Sequence, residues 1–378
     1  MTDSARPLLP AATPLLRAGD GAVQIGGVDS RPGLRIEAAG AGLAALLRGL
    51  DGRRSQRTVL GDADRRGLDR TAVMRVLDAL RSAGLLHDLD AADLVAADAG
   101  PAAAARTAAE LPAALSATGG PGWRDRRAAV VVVDGATRVG VPLAAVLAAS
   151  GVGRVSVRDP GLTTAGDAVV GGLSAADEGR PRALAAADAI RRANPLTDVR
   201  PTPDAAADLV VLARPWAASD PLAAGVHDAQ VPHLVATTRG EVGVVGPLVV
   251  PGVTGCLRCA DLHRRDADPR WPGMAVQLTA TDPPASGATL TCLLTVATAA
   301  QQVLAYLDRS AAPATLDATV ELHPPDHRPR LRRWPPHPAC RCRMACGNTP
   351  EEHAATRAGD VPPVTAGGIG ARQGTMGG

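Results

Sequence analysis

Apolar positions along this chain change spacing several times, and each change marks an element. Near the start, "LLRAGDGAVQIGG" (15–27) and "GLRIEAAG" (33–40) give short β-type runs broken at Gly and Asp. "AGLAALLRGLDG" (41–52) reads as a helix that Gly52 closes. Over residues 70–86, Val73, Val76, Leu77 and Leu80 recur at i, i+3, i+4 and i+7, which puts one apolar face on a helix. Three strands followed by three helices predict a small winged-helix-like module over residues 1–95.

Residues 96–122 are rich in Ala, Pro and Gly and predict a short helix joined to a linker. Valine-rich runs then alternate with helical stretches, which predicts one larger α/β domain over residues 123–347. Its strands are expected at 128–133, 154–158, 199–201 and 208–213, followed by "VPHLVATT" (231–238) and "EVGVVGPLVV" (241–250), in a mostly parallel sheet. Residues 348–378 lack periodicity and predict a disordered tail.

Composition narrows the function classes. The chain has 378 residues and is 46% hydrophobic, enough to bury a sizeable core. A formal net charge of +2 gives no bulk attraction to nucleic acid or an acidic membrane. Phenylalanine and lysine are absent. Phosphate contacts must therefore come from arginine, backbone N–H groups or hydroxyls, and no lysine is present to act as a base. The first residues lack the apolar core of a signal peptide. The longest apolar run, 290–304, reads as too short to span a bilayer, so a cytoplasmic protein is expected. Six cysteines in a chain this long do not suggest a secreted disulfide scaffold.

Four of those cysteines form two close pairs: Cys256 and Cys259 in "GCLRC", Cys340 and Cys342 in "HPACRC". Paired thiolates suit tetrahedral Zn2+, and four protein ligands leave no open position for water, so the role is structural. Cys346 and His337 are within reach as substitute ligands, and a redox pair is the competing reading. Cys292, inside "LTCLLTVATAA", reads as a core residue rather than a nucleophile.

Residues 130–160, "VVVVDGATRVGVPLAAVLAASGVGRVSVRDP", have the order of a nucleotide-binding βαβ unit: strand, tight turn, helix, and a second strand ending on Asp159. "RRANP", "ADLVVLA", "EVGVVGPLVVPGVTGCLRC" and the late cysteine pair follow in turn. This order resembles the ThiF/MoeB ubiquitin-activating-type fold over about residues 123–345. The resemblance implies a Rossmann-like domain that adenylates the C-terminal carboxylate of a small carrier protein with ATP and Mg2+. Gly135, Gly140 and Asp159 match its nucleotide-binding positions. Thr137 and Arg138 depart from its loop glycines and are expected to put side chains where phosphates would sit. Arg180 and Arg182 are the only cations where the family carries an Arg-Gln pair and a lysine. Arg214-Pro215 replaces the Mg2+-binding Asp, and Asp220 lies too far along to be its simple equivalent. Charge neutralisation at the phosphates is thus mostly missing, which argues against productive use of ATP and Mg2+.

Within that fold, the chain is most similar to the degenerate ThiF-like cyclodehydratase partner proteins of azole-forming peptide pathways. These join such a domain to a PqqD-like module that binds a leader peptide and presents the core to a YcaO-type enzyme. The resemblance implies a leader or partner peptide added as a strand beside Leu34 and Ile36, against the helix bearing Arg70 and Arg75. Three alternatives stay open: an adenylyltransferase acting on a carrier, a winged-helix DNA-binding regulator, and a docking or homodimerisation module without a ligand. Asp69 and Asp78 among Arg70, Arg75 and Arg81 speak against DNA. Trp271 in "LHRRDADPRWP" reads either as a partner-docking residue or as a lid, and the Gly377-Gly378 ending as coincidence.

Overall fold

The computed structural model describes residues 4–17, 22–28, 33–37, 41–90, 101–216, 220–279 and 287–342. Two elements the pattern did not announce, β1 (Arg6–Leu8) and β5 (His87–Leu89), pair antiparallel and bracket the N-terminal module. Between them, β2 (Leu15–Arg17), β3 (Val23–Gly26) and β4 (Gly33–Ile36) form a three-stranded antiparallel sheet in that order. Helices α1 (Ala41–Arg48), α2 (Gln56–Arg65) and α3 (Arg70–Ser82) follow, as the spacing predicts. Asp69 starts α3 by accepting from Thr71 N at 3.2 Å and Ala72 N at 3.1 Å, which satisfies two otherwise orphaned donors. Val73, Leu77 and Leu80 point into a core shared with Ile25, Leu46, Leu47 and Leu60.

The 96–122 segment is corrected. Instead of a short helix and a linker, α4 runs unbroken from Pro101 to Ala128. A proline inside a helix costs about 3 kcal/mol, yet Pro112 and Pro121 both lie within α4. Tertiary packing outweighs that penalty. Leu111, Ala114, Leu115 and Trp123 of α4 are buried together with Leu8 of β1 and Leu89 of β5. The N-terminal module is therefore seated on α4 by an apolar contact.

The larger domain is built from β6 (Val130–Asp134), α5 (Gly140–Ala149), β7 (Arg154–Arg158), α6 (Arg182–Ala193), β8 (Leu209–Leu212), α7 (Pro221–Asp228), β9 (His233–Arg239) and β10 (Val242–Val249), then α8 (Leu257–Ala267), α9 (Trp271–Thr279), α10 (Thr289–Asp308), β11 (Ala318–Leu322) and β12 (Pro329–Arg333). Its seven-stranded sheet has the order β12-β11-β10-β9-β8-β6-β7. β7, β6, β8 and β9 are mutually parallel, and β10, β11 and β12 continue antiparallel. This is a mixed α/β fold with a mostly parallel centre. Alternate valines of β6 reach opposite cores: Val131 and Val133 pack with α5 and α10, Val132 with α7 and α8.

Two expectations fail here for identifiable reasons. Residues 199–201 form no strand. Asp198 Oδ1 accepts Arg200 N at 2.9 Å, a local turn that takes the donor a ladder would need. The apolar run thought too short to span a bilayer belongs to α10, 20 residues that are long and apolar enough to cross a membrane by length and composition. Half of that window is buried within the fold, where Val296, Ala299 and Val303 pack against the sheet and Cys292 is fully buried among core residues.

α4 and α10 are locked at their ends. Arg126 and Asp308, 5% and 8% exposed, form a bidentate pair, with Nε to Oδ1 at 2.8 Å and Nη2 on Oδ2. Arg126 Nη1 also donates to Ser150 O at 3.0 Å. Asp308→Ala leaves the guanidinium buried and unanswered, and is expected to cost about 3–5 kcal/mol. Denaturant unfolding of the variant checks this; a loss within error of zero refutes the buried pair.

Candidate functional site

Chain connections leave β6 in one direction towards β7 and return on its other side to β8, so the β6–β8 boundary is the switch point where α/β sheets open a crevice. The sharp exit from β6 needs Gly135 at φ +110°, where a Cβ would fall 2.4 Å from Arg214 Cγ. Gly140 begins α5 with its Cα hard against the loop: a Cβ there would lie 2.0 Å from Gly135 O. Both glycines are thus required by the turn and by close helix packing, whatever the loop binds.

The side chains of Thr137 and Arg138 are held in place by hydrogen bonds. Thr137 Oγ1 donates to Ala213 O at 3.0 Å and accepts from Gly140 N at 3.0 Å, so a donor at the start of α5 already has an acceptor. Arg138 reaches across the crevice wall to Gly166 O at 3.1 Å, Ala168 O at 2.6 Å and Thr289 Oγ1 at 3.0 Å. Asp159 follows β7, and its side chain is 5% exposed. Its Oδ2 accepts Ala136 N at 2.9 Å and its Oδ1 accepts Gly161 N at 2.9 Å. Arg182 bridges Asp159 at 3.6 Å and Asp167 at 3.1 Å, which brings a cation to the crevice from the first turn of α6. Arg180 instead pairs outside with Asp177 and Asp188, both at 2.6 Å.

Arg214 sits at the switch point itself. It binds Asp134 Oδ2 through Nη2 at 2.8 Å and Nε at 3.2 Å, while Arg158 Nε holds Oδ1 at 3.1 Å. Burial opposes the Arg214 charge, but the hydrogen bond and charge of Asp134 outweigh it and hold its pKa above the usual arginine value. Mg2+ requires carboxylate oxygens free to coordinate. Asp134 has both oxygens on guanidiniums, Asp159 and Asp167 serve backbone and Arg182, and Asp220 caps α7 through Leu222 N at 2.8 Å. Asp134 and Asp159, with both oxygens engaged, do not fit a Mg2+ site as arranged.

The cysteine cluster does fit a metal. Cys256 precedes α8 and Cys259 lies in its first turn, while Cys340 and Cys342 return after β12. All four Sγ atoms lie within 4.8 Å of one another. Separations are 3.8 Å for Cys256–Cys259, 3.6 Å for Cys256–Cys340 and 3.6 Å for Cys259–Cys342. Tetrahedral Zn–S bonds of ~2.3 Å put sulfurs about 3.8 Å apart, so Zn2+ matches. Hydrogen bonds from Cys256 and Cys342 favour the Cys259 thiolate, and the hydrogen bond Cys256 makes to Cys259, with burial and the Cys259 charge added, opposes ionisation of Cys256. A central cation removes that mutual opposition. His337 is not a substitute ligand: its Nε2 meets Asp266 Oδ2 at 2.8 Å and its Nδ1 accepts Ala339 N at 3.1 Å. Cys346 lies outside the described residues, as do 348–378.

The expected peptide-contact residues fall on two neighbouring elements. Among the described residues β4 pairs only with β3, which leaves its other edge without a strand, and α3 packs beside it. Leu34 and Ile36 are half-buried against the module core. Arg70 and Arg75 are exposed on α3, with Arg70 3.4 Å from Asp64. Sequence reasoning missed Asp134 and Arg158. An acid ending a valine strand was the available signal.

Cys259→Ser is expected to lose the bound zinc together with stability, because metal-binding energy in such sites is also folding energy. Elemental analysis of the wild type should give one zinc per chain. A folded wild type without metal overturns the assignment.

The family described as ThiF matches residues 111–343. No curated protein matches the sequence. Among solved structures, E. coli MccB with ATP has a TM-score of 0.55 at 17% identity, covering 89% of this chain and 99% of that one. The microcin C7 biosynthetic enzyme MccB in complex with N-formylated MccA gives a TM-score of 0.55 at 16% identity, again over 89% and 99%. PaaA gives 0.54 at 16% identity, over 70% of this chain and 92% of its own. At such identities the structural likeness concerns the fold alone. The family match covers more than half of the chain and contains the βαβ crevice and the cysteine tetrad, and this protein belongs to the ThiF family.

Proposed function

We propose that this chain binds a leader or partner peptide at its N-terminal module and presents it, as a catalytically degenerate ThiF-type protein, to a modifying enzyme of the YcaO type. The observation that carries this reading is the Arg214–Asp134 pair. A guanidinium stands at the switch point where phosphoryl chemistry needs a divalent cation, and both oxygens of Asp134 are held by guanidiniums. Among the described residues no second strand covers the edge of β4 beside α3, which supports strand addition by a peptide backbone. E. coli MccB, whose fold this chain shares, is described in complex with N-formylated MccA, which supports a peptide ligand.

A second reading, an ATP-dependent adenylyltransferase, has its own support. Gly135, Asp159 and Arg182 surround the crevice, and E. coli MccB is described with ATP. The doubt about ATP raised by the sequence is therefore withdrawn, and ATP is retained as a ligand for test. The DNA-binding alternative gains nothing. Arg65, Arg70 and Arg81 on the module are each paired with aspartates.

The two readings separate by ATP–pyrophosphate exchange on the full chain with peptides encoded beside its gene. Degeneracy predicts exchange at background and peptide binding of about 8 kcal/mol, micromolar, because ordering a free peptide offsets part of the gain. Ile36→Pro removes one strand donor and should weaken binding at least tenfold with zinc content unchanged. Robust exchange abolished by Asp159→Ala establishes the adenylyltransferase instead.

A further inference from the structure

Arg264, in the last turn of α8, is 8% exposed, and three of the four tryptophans of the chain surround it. Its guanidinium lies 4.3 Å from the ring centre of Trp334, 5.1 Å from Trp271 and 5.4 Å from Trp216. Two further arginines join the group. Arg239, at the end of β9, sits 5.7 Å over Trp216, and Arg332 of β12 sits 4.4 Å over Trp334. Cation–π contacts explain why the rings and cations meet, but they do not balance the charge. Asp261 answers Arg264 at 3.2 Å and also takes Trp271 Nε1 at 3.1 Å. Glu321 is engaged with His323 at 3.0 Å.

Two donors are left over. Among the described residues, Arg239 Nη2 and Trp216 Nε1 are buried and have no hydrogen-bond partner. Leaving such groups unsatisfied costs roughly 1–3 kcal/mol each, so native folds seldom keep them without a ligand or an ordered water. Burial, with Arg239 and Arg332 as like-charged neighbours, pushes the Arg264 guanidinium down to about 10, a sign of surplus positive charge.

We propose that Arg239 and Trp216 form the head of a pocket for an organic carboxylate. The Arg239 guanidinium lies 5.7 Å from the Trp216 ring centre, so the two unpartnered donors belong to residues in one contact, where a single carboxylate answers both. Tryptophan walls favour a carboxylate on an apolar or peptide body over a strongly hydrated inorganic phosphate. Arg239 ends β9, two strands from β6 across β8, or about 10 Å, while Trp216 follows Arg214 by two residues, so the pocket adjoins the crevice around Asp134 on its β9 side. Only the assumption that a peptide delivers the carboxylate rests on the function proposed above.

Tryptophan fluorescence of the full zinc-loaded chain reads the pocket directly. The probes are N-acetyl-alanyl-glycine, its C-terminal amide, and inorganic phosphate. The expected result is a saturable change with the free carboxylate and none with the amide. Arg239→Met should weaken the response at least tenfold, and Trp216→Phe, which keeps the ring but removes the donor, several-fold. Trp216→Phe also removes an unanswered buried N–H, so its melting temperature without probe should hold or rise, which shows the loss is not unfolding. Arg200→Met, at an exposed site, should leave binding unchanged. Equal responses to acid and amide, a preference for phosphate, no response at all, or indifference to both pocket variants each overturn the proposal. These probes bind or fail to bind whether or not the N-terminal module recognises a peptide, so the two ideas fail separately.

Discussion

A carboxylate at the end of a buried strand has to be answered, and Asp134 is answered twice. Its side chain is 7% exposed, with Arg158 on one oxygen and Arg214 on the other. Removing either cation would leave charge in a poorly solvated place, a penalty larger than the pair itself is worth. The geometry around it follows. Arg214 fills the space that Gly135 leaves by lacking a Cβ, and Gly140 lets α5 start against the Gly135 carbonyl. Thr137 then satisfies the amide that this tight packing exposes. The crevice is shaped from within by ion pairing.

The opposite half of the sheet is organised by different chemistry. After β9 the strands turn antiparallel, and the chain beyond β12 comes back to α8 through Cys340 and Cys342. The tetrad shares its apolar surroundings with Trp216, Trp334 and Val132, so the metal site and the Val132 face of β6 belong to one core. Holding the returning segment there brings Trp334 up to Arg264 and, through Trp334 Nε1 at 2.8 Å from Thr319 Oγ1, onto β11.

Much of this was legible because it is local. The i, i+3, i+4 spacing of α3 and the valine run of β6 each lie within a few residues, and cysteine spacing alone singled out the four thiols. What stayed hidden depends on distant partners. β12 reads as an exposed, arginine-rich stretch, and only pairing with β11 makes it a strand. α4 holds two internal prolines because Leu8 and Leu89, remote in sequence, bury its apolar face. The Arg264 cluster draws single residues from segments after β8, β9 and β12, a pattern with no period to read.

The absence of lysine has an electrostatic consequence at the crevice. Guanidiniums do not release protons at any pH a cell reaches, and every cation placed there, Arg138, Arg158, Arg182 and Arg214, is a guanidinium. The positive half of the local field is therefore proton-silent. It cannot be dimmed by alkalinity, tuned by acetylation or lent out as a general base. Among the described residues, a proton that moves at this end of the sheet comes from a carboxylate, a hydroxyl, the Cys292 thiol beside Arg138 or the bound molecule itself.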